Sequence, residues 1–156
     1  MGRVNIFFLD KDPVKAAQLQ CDKHVVKMVL ETAQMVSTAV RNQGHDVGYK
    51  SAYPKHPMTI WVNKSNDNFA WALAHGLALG EEYTHRYNKI HASHKMLKTI
   101  QELKIKGNAN YMTTPPQCMP DEYKKISYVD AYRNYYVNDK KHFAKYTNRE
   151  TPEFMQ

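Results

Sequence analysis

The feature that most constrains the fold is an aliphatic stripe with the period of an α-helix. The stripe consists of Val25, Val29, Ala33, Val36 and Val40, spaced three or four residues apart. This spacing places the five side chains on one face of a helix, whereas a half-buried strand needs alternation between apolar and polar residues. No stretch of the chain alternates for long, so the sequence predicts an all-α fold.

Start and stop signals divide the rest of the chain. Asp12 and Pro13 suit the N-cap and the first position of a helix. The predicted helices, the last of which could be a helix pair, are 12–41, 65–87, 94–104 and 122–146. Segments with glycine and proline indicate loops; the predicted loops are 43–58 and 107–121. Residues 4–9 are expected to form a strand or an extended lead-in. We therefore expect a compact bundle of about four to five helices with long ordered loops.

Size and composition narrow the class of protein. A length of 156 residues predicts a single domain, residues 1–156. The net charge of +7 favours a polyanionic partner, such as double-stranded DNA. Cys21 and Cys118 form no CxxC pair, which indicates a reducing compartment without a disulfide framework. No apolar run approaches the ~20 residues of a membrane span. We expect a soluble, cytoplasmic, monomeric protein that does not bind membranes.

A polar stripe lies opposite the aliphatic one on the first long helix. Its members are Gln20, His24, Lys27, Glu31, Gln34, Thr38 and Arg41. It could form the wall of an active cleft, with Lys27 and Arg41 contacting phosphates and Glu31 transferring protons. It could equally be the solvated face of an amphipathic helix.

Other sequence features support further hypotheses. Glu81 and His85 lie four residues apart and could face a metal ion, or they could be surface side chains. Several carboxylates could serve a metal-dependent nucleotide hydrolase; they are Glu31, Glu81, Glu82, Asp121 and Glu122. The C-terminal third mixes tyrosines with lysines, which suits either stacking on bases or core packing. The chain has no Gly-rich phosphate loop and no GxSxG motif, which excludes most kinases, Rossmann enzymes and α/β hydrolases.

The N-terminus offers a different kind of chemistry. Removal of Met1 would leave the unhindered α-amine of Gly2 beside Arg3. A neutral amine can attack a carbonyl carbon and form a Schiff base. The carboxylate of Glu31 and the imidazole of His24, seven residues apart on one helix, could handle the protons.

These residues resemble the phage pyrimidine-dimer DNA glycosylases with AP-lyase activity, the endonuclease V type. The resemblance rests on three short motifs of this chain: Met1-Gly2-Arg3-Val4-Asn5, Asp22-Lys23-His24 followed by Glu31, and Tyr132-Arg133-Asn134-Tyr135-Tyr136. Members of that family are small, basic, all-α proteins. Their residue before the glutamate is basic, whereas this chain has Leu30.

The resemblance implies a function and a set of site residues. Gly2 would supply the nucleophilic amine and Glu31 the catalytic carboxylate, while Arg3 and His24 would contact DNA. Lys27 and Arg41 are the expected phosphate contacts. No metal and no cofactor are expected, because Schiff-base chemistry needs neither. A non-catalytic nucleic-acid-binding protein on the same scaffold and a metal-dependent nucleotide hydrolase remain open as alternatives.

Overall fold

The computed structural model describes residues 4–156, which form six α-helices and no strand. The helices are α1 (Pro13–Gln18), α2 (Asp22–Asn42), α3 (Pro57–Lys64), α4 (Asn66–Tyr87), α5 (Ala92–Gln101) and α6 (Tyr128–Tyr135). The predicted all-α class is confirmed, and the number of helices slightly exceeds the predicted four to five. Across the same residues, no helix combines the length and the hydropathy needed to cross a membrane.

Helix α4 lies at the centre and packs against α1, α2, α3 and α5. The extended segment 4–9 runs through the core beside it, with all of its apolar side chains buried. The ring of Phe8 contacts those of Trp61, Trp71 and Tyr132. Because these rings come from four separate segments, they tie the N-terminal segment to the helices.

The long first helix predicted from the sequence is in fact two helices, α1 and α2. The chain turns at residues 19–21. Backbone carbonyl and amide groups that a continuous helix would pair with each other form hydrogen bonds there to residues far along the chain. Arg86 donates to the carbonyl of Gln18 (2.9 Å), and the amide of Asp22 donates to the carbonyl of Lys145 (2.8 Å). Contacts that are remote in sequence therefore stabilise the break. The aliphatic stripe of α2 is fully buried, as predicted.

Two predicted helix starts are confirmed by side-chain caps. Asp12 accepts a hydrogen bond from the amide of Val14 (3.1 Å), and Ser65 accepts one from the amide of Asn68 (3.1 Å). Each bond satisfies an amide that has no partner within the first turn of its helix. Helix α4 ends at Tyr87, which is also its predicted end.

The predicted loop 43–58 is confirmed over residues 43–56, and its last two residues begin helix α3. His56 caps α3 by accepting from the amide of Met58 (3.1 Å), and Pro57 occupies the first turn. The sequence analysis missed α3 because its eight residues carry too little periodicity to separate it from the loop. Its buried residues, among them Trp61 and Val62, pack into the core.

Much of the predicted polar stripe is not solvated: the loop before α3 covers the second half of α2, and other segments cover the part before it. The amide of Tyr49 donates to the Ser37 hydroxyl (3.0 Å), and the amide of Ala52 donates to the Thr38 hydroxyl (3.2 Å). Four members of the stripe are buried: Gln20, His24, Glu31 and Thr38. The prediction of a solvated face therefore holds only for part of the helix.

Helix α5 begins and ends earlier than the predicted 94–104. Gly76 and Gly80 lie four residues apart on α4, a spacing that can let another backbone approach closely. Side chains fill that space instead: Gly76 lies against Leu97, and Gly80 lies against the ring of His94. A Cβ atom at position 80 would overlap that ring.

The predicted last helix, 122–146, is present over residues 128–140 and gives way to short 3₁₀ turns and irregular segments on either side. Only α6 and the π-helical turn that follows it, Tyr136–Lys140, are helical beyond a single turn. Tyr132 and Tyr136 are fully buried and belong to the core. For these two tyrosines, core packing accounts for the aromatic pattern of the C-terminal third.

A buried ionic cluster fastens the C-terminal segment to the bundle. The predicted pair of Glu82 and Arg86 is present (2.8 Å), and Arg149 binds the same carboxylate. Arg86 also lies 3.1 Å from Asp22 at the start of α2. Burial alone would raise the pKa of Glu82, but hydrogen bonds from Arg149 and Arg86 hold it below its ordinary value.

Candidate active site

Glu31 lies in the middle of α2, beside the N-terminal extended segment. Its Oε1 accepts a hydrogen bond from the backbone amide of Asn5 (3.0 Å), and its Oε2 lies 3.7 Å from Nζ of Lys27. Only 6% of the residue is exposed. Burial raises the pKa of Glu31, although the ammonium of Lys27 and the Asn5 hydrogen bond oppose that rise. A carboxyl group in this setting is suited to donate and accept protons closer to neutral pH.

A network of hydrogen bonds holds Asn5 against Glu31. The Asn5 side chain donates to the carbonyl of Cys118 (3.0 Å) and accepts from the amide of Ile6 (2.8 Å). The hydroxyl of Tyr132 lies 3.1 Å from Asn5 Oδ1 and accepts from the amide of Cys118 (3.1 Å). Residues far apart in sequence thus fix the direction in which the N-terminal segment passes the carboxylate.

His24 lies in the core rather than on the surface. Its ring stacks on Phe7 (4.2 Å between centroids), and its Nδ1 lies 2.6 Å from the hydroxyl oxygen of Tyr136. Burial, reinforced by the ammonium groups of Lys140, Lys27 and Lys23, lowers the pKa of His24 to about 3. The ring is therefore neutral at physiological pH, and it packs in the core one turn before Lys27 instead of carrying a charge.

Lysines surround the exposed edge of this site. Lys23 and Lys27 point to solvent from α2, and Nζ of Lys23 lies 4.7 Å from the ring centroid of Phe143. From the C-terminal segment, Nζ of Lys140 lies 4.6 Å from the ring centroid of Tyr135. These aromatic contacts fix the positions of both ammonium groups. The ammonium of Lys140 also pairs with the carboxylate of Asp139 (3.0 Å).

Arg41, the other predicted phosphate contact, lies away from this cluster. It is ten residues from Glu31 on the same helix, about 15 Å along the axis. Its guanidinium donates to the carbonyls of Tyr49 (2.8 Å) and Gly48 (2.7 Å) and pairs with Asp46 (2.8 Å). Arg41 thus holds the loop that follows α2.

The structure brings together three of the six predicted site residues: His24, Lys27 and Glu31. Gly2 and Arg3, two of the other predicted site residues, lie outside the described residues. No role in the site around Glu31 was predicted for Asn5, Tyr132 or Tyr136, although two of the motifs behind the resemblance contain them. Their function in the site depends on contacts across more than 100 residues of chain, which no local pattern reveals.

The carboxylates considered for a metal-dependent hydrolase are dispersed. Glu82 is bound by two arginines, and Asp121 lies on the surface with Lys124. Within residues 4–156, no three histidine, cysteine or carboxylate side chains gather closely enough to hold a metal ion. The described part of the chain therefore offers no ligand set to the metal-dependent alternative.

Fold and site together define an all-α protein with a recessed glutamate that faces its own N-terminal segment. The model of the family described as pyrimidine dimer DNA glycosylase matches residues 4–96, more than half of the chain, and the chain belongs to that family. The resemblance identified from the sequence is thereby confirmed. No curated protein and no solved structure matches the chain.

Proposed function

We propose that the protein is a DNA glycosylase with AP-lyase activity, which removes damaged pyrimidines from double-stranded DNA through a Schiff base at its N-terminus. The observation that carries the proposal is the hydrogen bond from the Asn5 amide to the buried carboxylate of Glu31. The Gly2 nitrogen is three residues from the Asn5 nitrogen, a distance that the chain spans in at most about 11 Å. A Gly2 amine therefore remains within reach of a sugar bound at Glu31.

The amine is a suitable nucleophile at physiological pH. An α-amino group has an ordinary pKa of about 7.7–8.0, so a useful fraction is neutral once Met1 has been removed. Its nitrogen attacks C1′ of the damaged nucleotide, the glycosidic bond breaks, and the base leaves with the bonding electron pair. The sugar ring then opens to an imine that links C1′ to Gly2.

Glu31 carries out the proton transfers of this reaction. In its protonated form it donates to the sugar as the ring opens, and its carboxylate then stabilises the cationic imine. The strand breaks by β-elimination, in which C2′ loses a proton and the 3′ phosphate leaves. No metal or cofactor takes part in these steps.

Lys27 is the proposed phosphate contact on α2, and Arg3 is a second one in the N-terminal segment. His24 and Arg41 were also expected to contact DNA; the neutral ring of one and the loop contacts of the other favour supporting roles. For Arg3→Ala, we expect weaker binding and a salt dependence reduced by about one phosphate contact. An unchanged slope of log K against log[salt] would place Arg3 away from DNA.

The test of the proposed function is incision of a duplex that contains a single pyrimidine dimer, with EDTA present. The wild-type protein should nick the damaged strand, whereas Glu31→Gln should bind the same duplex and leave it intact. Nicking that occurs without EDTA and is lost when EDTA is added would support the metal-dependent hydrolase. Binding by the wild-type protein without any nicking would support the non-catalytic alternative.

A further inference from the structure

The exposed ridge of α2 next to Glu31 is partly apolar. Leu30, the residue immediately before Glu31, is 41% exposed, as is Val26 one turn earlier. Lys23 and Lys27 occupy the same ridge, and residues three or four apart on a helix are neighbours. Leu30 is therefore an aliphatic side chain that projects between cations at the edge of a recessed carboxylate.

The surroundings of this ridge indicate a polyanion. Lys140 approaches from the C-terminal segment, where its ammonium lies over the ring of Tyr135 and pairs with Asp139 (3.0 Å). The ring of Tyr135 neighbours the Phe7 ring, which is stacked on His24. The phosphates of a nucleic acid complement the ammonium groups of Lys23 and Lys27, with Lys140 as a third that is shared with Asp139. A protein partner would have to match an apolar spot and this positive rim at once.

The depth of Glu31 imposes a second requirement on a duplex. A carboxylate that is only 6% exposed cannot touch a sugar inside an undistorted stack, so the duplex has to be opened at that base step. Proteins that open a base step often insert an aliphatic side chain to hold the gap. On α2, the exposed aliphatic side chain adjacent to Glu31 is Leu30.

We propose that Leu30 enters the base stack of a DNA duplex whose phosphates are held by Lys23, Lys27 and Lys140, while the sugar at the opened step lies against Glu31. The inference rests on the proposed function, because it takes DNA as the substrate. It assigns separate tasks to neighbouring side chains: the lysines supply salt-dependent affinity, and Leu30 supplies the distortion.

The test uses a duplex with a tetrahydrofuran abasic analogue, which has no aldehyde and forms no Schiff base, and with 2-aminopurine next to it. The fluorescence of 2-aminopurine rises when its stacking is lost. Saturating wild-type protein should raise it several-fold, and Leu30→Ala should abolish most of that rise and weaken binding by about tenfold. Because Leu30 is exposed, the variant should retain the wild-type circular dichroism and melting curve.

Matched controls come from α3, which contacts the far end of α2 through the bond between Asn63 and Asn42. Ile60 is a helical aliphatic residue that is 53% exposed, and Ile60→Ala should keep the full fluorescence rise. Lys27→Gln and Lys140→Gln should each reduce the salt slope by about one while keeping the rise at saturation. Lys64→Gln, also on α3, should leave the slope unchanged.

The outcomes separate this inference from the proposed function. An unaltered fluorescence rise with Leu30→Ala at saturation overturns the role of Leu30, even if the wild-type protein incises damaged DNA. An equal loss with Ile60→Ala overturns it as well, because the effect would then not be local. Failure of the wild-type protein to bind the duplex would instead remove the proposed function itself.

Discussion

Replacing Glu31 by glutamine should stabilise the folded protein at neutral pH. Burial raises the pKa of Glu31 above its ordinary 4.5, so the folded state binds this proton more tightly than the unfolded state. The stability of the wild-type protein therefore falls as the pH rises from about 4.5 through the folded pKa, and it stays lower above that value. Below 4.5 both states are protonated, and the penalty vanishes.

The structure sets the size of the effect. Each unit of pKa elevation corresponds to about 1.4 kcal/mol of unfolding free energy. Glutamine keeps an Oε1 atom that can accept the Asn5 hydrogen bond, and the contact with the exposed Lys27 is worth at most about 1 kcal/mol. For a domain of this size, 1 kcal/mol shifts Tm by roughly 2–4 °C.

Urea unfolding followed by circular dichroism between pH 4 and pH 8 measures this difference. The curves of the wild-type protein and Glu31→Gln should converge at pH 4 and separate with increasing pH, with the variant more stable. Glu81→Gln, on the exposed face of α4, is the matched control and should follow the wild-type curve. A Glu31→Gln protein that is no more stable than the wild type at pH 8 would refute the reasoning.

Three further substitutions probe the supports of the site. Tyr132→Phe leaves the Cys118 amide without its acceptor and should cost about 1–3 kcal/mol of unfolding free energy, measured in urea. Gly80→Ala forces a methyl group into the ring of His94 and should cost about 1–3 kcal/mol, part of which His94→Ala in the same chain should restore. Glu82→Gln leaves Arg149 without a carboxylate and Arg86 with that of Asp22 alone, and it should cost about 3–5 kcal/mol, visible as a lower Tm.

Each of these expectations has a control and a contradicting result. Tyr123→Phe removes a hydroxyl outside the hydrogen-bond network of Asn5 and should leave the free energy of unfolding unchanged. Equal losses of stability at positions 123 and 132 would show that this network does not stabilise the fold. If His94→Ala restores nothing, the ring is not what Gly80 accommodates. Because arginines lower the pKa of Glu82, its stabilisation is present above pH 4.5 and is lost as the pH falls through the folded pKa; a penalty that stays constant down to pH 2 would contradict the charge pairing.

The helices could be predicted where the sequence itself carries the physical cause. The stripe of α2 and the Ser65 cap of α4 are local signals, and both are observed. The break between α1 and α2 could not be predicted, because Arg86 and Lys145 stabilise it from far along the chain. The helix α3 was missed because its eight residues, about two turns, carry too little periodicity to distinguish it from the loop before it.

The site, like the fold, could be predicted only where residues close in sequence determine it. Glu31 and Lys27 could be identified because their spacing on one helix places them together, and the distance between their charged groups confirms that arrangement. The burial of His24 could not be predicted, since its partners Phe7 and Tyr136 lie on other segments. Arg41 shares the helix face of Lys27, but the loop that folds back over α2 occupies its guanidinium.

The most direct test of the central claim is borohydride trapping on a duplex with a true abasic site. The experiment uses EDTA and protein whose intact mass confirms that Gly2 is the first residue. The account predicts a covalent protein–DNA adduct, with the cross-link mapped to the N-terminal peptide at Gly2. An adduct mapped to a lysine such as Lys27, or no adduct from protein that binds the duplex, would contradict it.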